Sequence, residues 1–165
     1  MFFKFLLGVG IVLFISFCGY VLAKKYRRRK QFLRQLKEFN ERFLSEVSYL
    51  RRPIKVFVGA YSYKGDFDRF LTLFFEGLED GQAQVSAIDF KGEFSFLKGE
   101  ERQMVEDYFL MLGRGDSISQ KGYFSAVKER ISLLYIAAES DCKKYGDLYI
   151  KLGFLCGLLL LILIV

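Results

Sequence analysis

Apolar positions in the last third of the chain recur at alternating steps of three and four. Phe124, Val127, Ile131, Leu134, Ala138, Cys142, Tyr145, Leu148 and Leu152 all fall on one helical face, the pattern of a packed seam. No proline interrupts it, and only Gly122 and Gly146 weaken it. From Gly153 to Val165 the chain is then apolar all round, with no loop signal between. The pattern predicts one helix from Ser117 to Val165. At about 1.5 Å per residue it is about 70 Å long, and it leaves a folded bundle to enter a membrane.

The opposite end mirrors it. Phe5 to Ala23 is an apolar stretch about 28 Å long as a helix, against a bilayer core of about 30 Å. An amphipathic pattern follows from Tyr26 to Leu50, with Phe32, Leu33, Leu36, Phe39, Phe43, Leu44, Val47 and Leu50 on one face. It continues the first span. Pro53, the only proline, ends that helix or opens the next. Ile54 to Val58 fits a short strand or a helix, and periodicity does not decide between them.

Gly65-Asp66 breaks the chain, with Asp66 as a cap. Phe67, Phe70, Leu71, Phe74, Phe75 and Leu78 then mark a helix that stops near Gly81. A short helix is expected from Gln82 to Phe90, and Lys91-Gly92 and Lys98-Gly99 bracket a stretch of weak pattern. Glu100 to Gly113 is helical, with Met104, Val105, Tyr108, Phe109 and Leu112 inward, and Gly113 to Asp116 turns into the last helix. The fold expected is all-α. Residues 1–23 and 152–165 are the transmembrane helices, the second starting near Leu148 if Lys151 snorkels. Residues 24–151 form the helical bundle.

Charge adds a direction. Lys24, Lys25, Arg27, Arg28, Arg29 and Lys30 follow the first span, against Lys4 before it. The positive-inside rule keeps the bundle in the cytoplasm and puts both termini outside. Lys151 marks the same boundary on the second span. A cleaved signal peptide has the opposite polarity. The net charge is +6; of 25 Lys and Arg, seven are Lys4 and the cluster, leaving 18 against 19 Asp and Glu. A nucleic-acid binder carries its basic surface on the folded domain, so nucleic acid is not an expected partner. Arg27 to Lys30 either meet anionic lipid head groups or only set orientation.

Catalytic chemistry is not legible. There are no histidines and three scattered cysteines, Cys18, Cys142 and Cys156, which removes His-based triads and paired-cysteine zinc sites. Gly8-Val-Gly10 and Gly113-Arg-Gly115 do not continue into a phosphate-binding loop. Paired carboxylates at Asp66/Asp68, Glu79/Asp80, Glu100/Glu101 and Glu106/Asp107 sit where helix caps and charged faces explain them. The expectation is a protein that is not an enzyme and needs no cofactor or metal.

Several ordered features carry a resemblance. They are Gly19, Ala23 and Tyr26 leading into the basic helix, and Glu46-Val-Ser-Tyr49 followed by Pro53-Ile54. Glu100-Glu101 comes next, before Tyr108-Phe109, Leu112-Gly113, Asp116 and Gln120, and the Leu152 to Val165 run closes the series. In these the chain resembles the stage III sporulation protein AB family, although the family's central Trp is missing and residues 55–65 and 90–99 match poorly. The resemblance implies a membrane component of the complex between mother cell and forespore, in the mother-cell membrane around the forespore. It also implies a cytoplasmic region similar to the F domain of type II secretion and type IV pilus platform proteins. The partners implied are a secretion-type ATPase, stage III sporulation protein AA, and other membrane components of that complex, besides membrane lipids; an oligomer is compatible.

For docking, the candidates are Phe74, Phe75 and Glu76 on one helix and Arg114 in a turn. Two other readings stand beside this one, a two-span pore and a lipid- or signal-sensing membrane protein. Close packing of the two spans through Gly153 and Gly157 is a further expectation.

Overall fold

The computed structural model describes residues 2–49, 61–79, 88–112 and 117–164. Helix α1 runs unbroken from Phe2 to Tyr49. Helix α2 spans Asp66–Glu79, α3 Gly99–Leu112 and α4 Ser117–Asp141. A π-helical stretch, Cys142–Gly146, leads into α5, Asp147–Ile164. The protein is all-α, and no strand occurs among the described residues. The expected elements at 54–58 and 82–87 lie outside those residues. Ile88 to Phe90, assigned above to the end of a short helix, form a bend and a turn. The chain makes two compact units, residues 31–136 and residues 1–30 with 137–165.

In the unit of residues 31–136 the inner face of α1 is the one that the periodicity marks. Phe32, Leu33, Leu36, Phe39 and Phe43 are buried, against Phe67, Phe70, Leu71 and Phe74 of α2 and Met104, Val105, Tyr108, Phe109 and Leu112 of α3. Helix α4 adds Phe124 and Ile131. Ring contacts are mostly edge-on, as the aromatic quadrupole favours: Phe43 to Phe124 and Phe70 to Phe109 at 4.8 Å, Phe32 to Phe67 at 5.3 Å. Phe39 lies at the centre, within 6.4 Å of the rings of Phe43, Tyr63, Phe67, Tyr108 and Phe109.

Local chemistry sets the ends of these helices. Gly65, not Asp66, is the half-in residue of α2: its carbonyl accepts the first helical bond from Arg69 N–H at 3.1 Å. Its φ of 65° is the left-handed conformation that glycine adopts without cost. Asp66 and Asp68 fill the first turn, where the helix dipole favours negative charge. At α3 the Lys98 carbonyl accepts from Arg102 N–H, and Glu101 reaches back to the Lys98 N–H at 2.9 Å. That is the glutamate half of a capping box, and it explains why a carboxylate is 1% exposed.

The weakly patterned stretch before α3 is a run of turns. The Asp89 carboxylate accepts from the Lys91 and Gly92 N–H groups at 3.0 and 2.8 Å. A Cβ on Gly92 would strike that same carboxylate. The turns bury Phe90, Phe94, Phe96 and Leu97, which completes the core without a helix.

One buried polar link crosses the aromatic core. Asn40 donates through Nδ2 to the Phe124 carbonyl at 3.2 Å, and Tyr108 donates its hydroxyl to Asn40 Oδ1 at 3.1 Å. Burial pushes the Tyr108 hydroxyl well above the ordinary tyrosine range, so it stays a donor. Asn40→Ala removes one partner and leaves a buried hydroxyl unpaired, a cost of about 1–3 kcal/mol. Denaturant unfolding of the full chain should show that loss; Tyr108→Phe in the Asn40→Ala background should then add less than it does alone.

Candidate functional site

The unit of residues 1–30 and 137–165 is an antiparallel pair of helices. Its apolar part is held together where side chains are missing. A Cβ on Gly19 would lie 2.5 Å from the Tyr149 carbonyl oxygen, one on Gly153 3.1 Å from the Ile15 carbonyl oxygen, and one on Gly157 3.1 Å from Val12 Cα. At Gly8 the neighbour is instead the end of the Leu161 side chain. Backbones that touch this closely gain dispersion and need small residues. Gly153 and Gly157 do what the sequence predicts of them. Gly8, Gly19 and Ala23, the last 1% exposed, form the matching face of α1; steps of 11 and four residues keep them on one side of a helix, and that was the available signal.

Many of the described large apolar side chains on both helices point outward. Leu13, Phe14 and Phe17 are 66%, 69% and 63% exposed, and Leu155, Leu159 and Ile162 are 59%, 61% and 79%. Both helices are long and apolar enough to cross a membrane. A surface like this is unfavourable in water and ordinary in lipid.

The seam does not keep one phase along the last helix. Leu148 and Leu152, placed inward by the α-helical period, are exposed. Gly146, Gly153 and Gly157 are buried instead. The cause is the π-helical stretch at Cys142–Gly146: an i→i+5 turn holds one residue more than an i→i+4 turn. Every later position on the seam therefore shifts by one.

Beyond the glycines the contact becomes aromatic and then charged. Tyr26 lies 5.7 Å from Tyr145 and 5.9 Å from Tyr149 between ring centroids. Arg29 meets Asp141 at 2.6 Å, and Lys30 meets Glu139 at 3.1 Å. Arg29 is only 4% exposed, so it serves the helix pair more than any surface. Lys24, Lys25, Arg27 and Lys151 are exposed and Arg28 is half-buried. Of the docking candidates, Phe74 is a core residue 5.0 Å from the Phe109 ring, Phe75 is half-buried and Glu76 is exposed. Burial removes Phe74 from that set. Arg114 lies outside the described residues. Sequence reasoning missed the Arg29–Asp141 and Lys30–Glu139 pairs, since residues 112 and 109 positions apart carry no local signal.

The hydrogen bond from Lys30 holds the Glu139 carboxyl below its ordinary value of 4.5. A carboxylate with a depressed folded pKa adds stability above its ordinary value, and that stability is lost as pH falls through the folded one. Acidification below pH 4.5 should therefore lower the melting temperature of the chain more than it lowers that of Glu139→Gln.

A family model described as stage III sporulation protein AB matches residues 4–165. The chain belongs to that family. No curated protein and no solved structure matches it. The family places the protein in stage III of sporulation, and the paired apolar helices associate it with a membrane.

Proposed function

We propose that the chain is a non-enzymatic platform component of a secretion-like channel between mother cell and forespore. Its helices sit in the mother-cell membrane around the forespore, with both termini outside. Residues 31–136 lie in the cytoplasm and dock a secretion-type ATPase, stage III sporulation protein AA. The observation that carries this reading is the antiparallel pairing of two membrane-competent helices that flank residues 31–136 in the sequence, in a chain of this family. Lys24, Lys25 and Arg27, exposed beside the first span, support the orientation. Likeness to the F domain of type II secretion and type IV pilus platforms is an analogy of fold. A pore within a single hairpin is disfavoured, because helices whose backbones touch through glycine leave no lumen between them.

The exposed edge of α2 around Glu76, with Phe75 beside it, is the docking surface in this reading. A photo-crosslinking residue at Glu76 should capture the ATPase in sporulating cells. Capture from Lys121, on another helix, with none from Glu76 would move the surface off α2. Capture from neither would refute ATPase docking.

A further inference from the structure

We propose that the polar end of the membrane hairpin binds the headgroup of an anionic phospholipid, in a site built by both helices. The inference rests on the hairpin lying in a membrane and adds a ligand to it. Antiparallel pairing brings Tyr26 against Tyr145 and Tyr149, so the segments on either side of these residues share one level. On α1 that level carries exposed Lys24, Lys25 and Arg27; on the π-helical stretch it carries exposed Lys143 and Lys144. Tyrosine rings favour the depth where acyl chains meet headgroups. Five exposed cations therefore share one level of the hairpin with an aromatic cluster, and in a bilayer that level would meet the lipid headgroups.

Two of the nearby acids are already engaged, one of them in part by Lys143 itself. Asp141 takes Arg29, and Glu139 takes Lys30 at 3.1 Å and Lys143 at a looser 3.7 Å. Lys143 keeps 74% of its side-chain surface despite that contact. Lys144 holds its Nζ 5.3 Å from the Tyr145 ring centroid. Of the acids between 139 and 151, Asp147 is left, and it is exposed. The balance at this level is strongly positive, which suits a headgroup of net negative charge over a zwitterionic one. Orientation does not require this arrangement, because the run on α1 already supplies the topology signal. Lys143 and Lys144 are the residues that separate a lipid site from a topology signal.

The test is native mass spectrometry of the full chain in detergent, with equal phosphatidylglycerol and phosphatidylcholine of the same acyl chains. The wild type should retain phosphatidylglycerol with a preference of about 5-fold or more. K143Q/K144Q should lose most of that preference while its orientation in cells is unchanged. K121Q/K128Q, which removes two exposed lysines from α4, should keep it. Equal retention of the two lipids by the wild type, full preference in K143Q/K144Q, or equal loss in K121Q/K128Q would overturn the proposal. Recovery of the chain from cells in the soluble fraction would instead refute the membrane reading on which it rests.

Discussion

Gly19→Leu is expected to leave the chain in the membrane fraction but to open the helix pair. A single methyl at Gly19 already falls 2.5 Å from the Tyr149 carbonyl oxygen and 3.3 Å from Gly153 Cα. Both are backbone atoms of the opposing helix, so no side chain can move aside, and the helices must separate. Overpacking costs about 1–3 kcal/mol where neighbours can adjust; Gly19→Ala should lie at the upper end, and Leu beyond it. Gly10 is the internal control, since a Cβ there meets nothing within 4 Å. Gly10→Ala should change stability by less than about 0.5 kcal/mol. Reversible unfolding of the purified chain in mixed micelles measures both variants. Equal effects at Gly10 and Gly19 would contradict glycine-mediated packing.

Phe39→Ala should be the most damaging single change in the unit of residues 31–136. The ring is 0% exposed and touches rings from α1, α2, α3 and the segment before α2. Removing a buried phenylalanine costs about 3–5 kcal/mol through lost burial and a residual cavity. Domains are stable by about 5–15 kcal/mol in total, so the variant should lose a large fraction of its stability. Phe39→Leu keeps much of the volume and should lose far less. Denaturant titration of the full chain separates the two. A Phe39→Ala loss below about 1 kcal/mol would mean that the cavity collapses, contrary to a close-packed core.

The helices were legible because their burial is one-sided. Phe32 to Phe43, Phe67 to Phe74 and Met104 to Leu112 each repeat at the helical period, and each forms a core face. Phe90, Phe94, Phe96 and Leu97 are equally buried, but their segment is hydrogen-bonded as turns around Asp89, and turns have no period to read. The π-helical stretch was hidden for another reason. Cys142 to Gly146 has no composition of its own, and only the shift from Leu148 and Leu152 to Gly153 and Gly157 betrays it. Asn40 is a polar residue among Leu36, Phe39 and Phe43 on the buried face of α1, and its partners, Tyr108 and the Phe124 carbonyl, come from distant segments that carry no local signal. Of the basic run, sequence marked the charge but not its division: Arg29 and Lys30 are ion-paired across the hairpin, while Lys24, Lys25 and Arg27 face outward.

The topology proposed above is a two-span hairpin that leaves residues 31–136 on the cytoplasmic side. Lys91 is exposed on a turn of that unit, and its backbone, not its side chain, holds the turn. In a chain whose three native cysteines are replaced by alanine, Lys91→Cys should resist a membrane-impermeant maleimide in intact cells and react once the membrane is opened. A cysteine added before Phe2 should react in intact cells. Labelling of Lys91→Cys from outside, or protection of the N-terminal cysteine, would contradict the account.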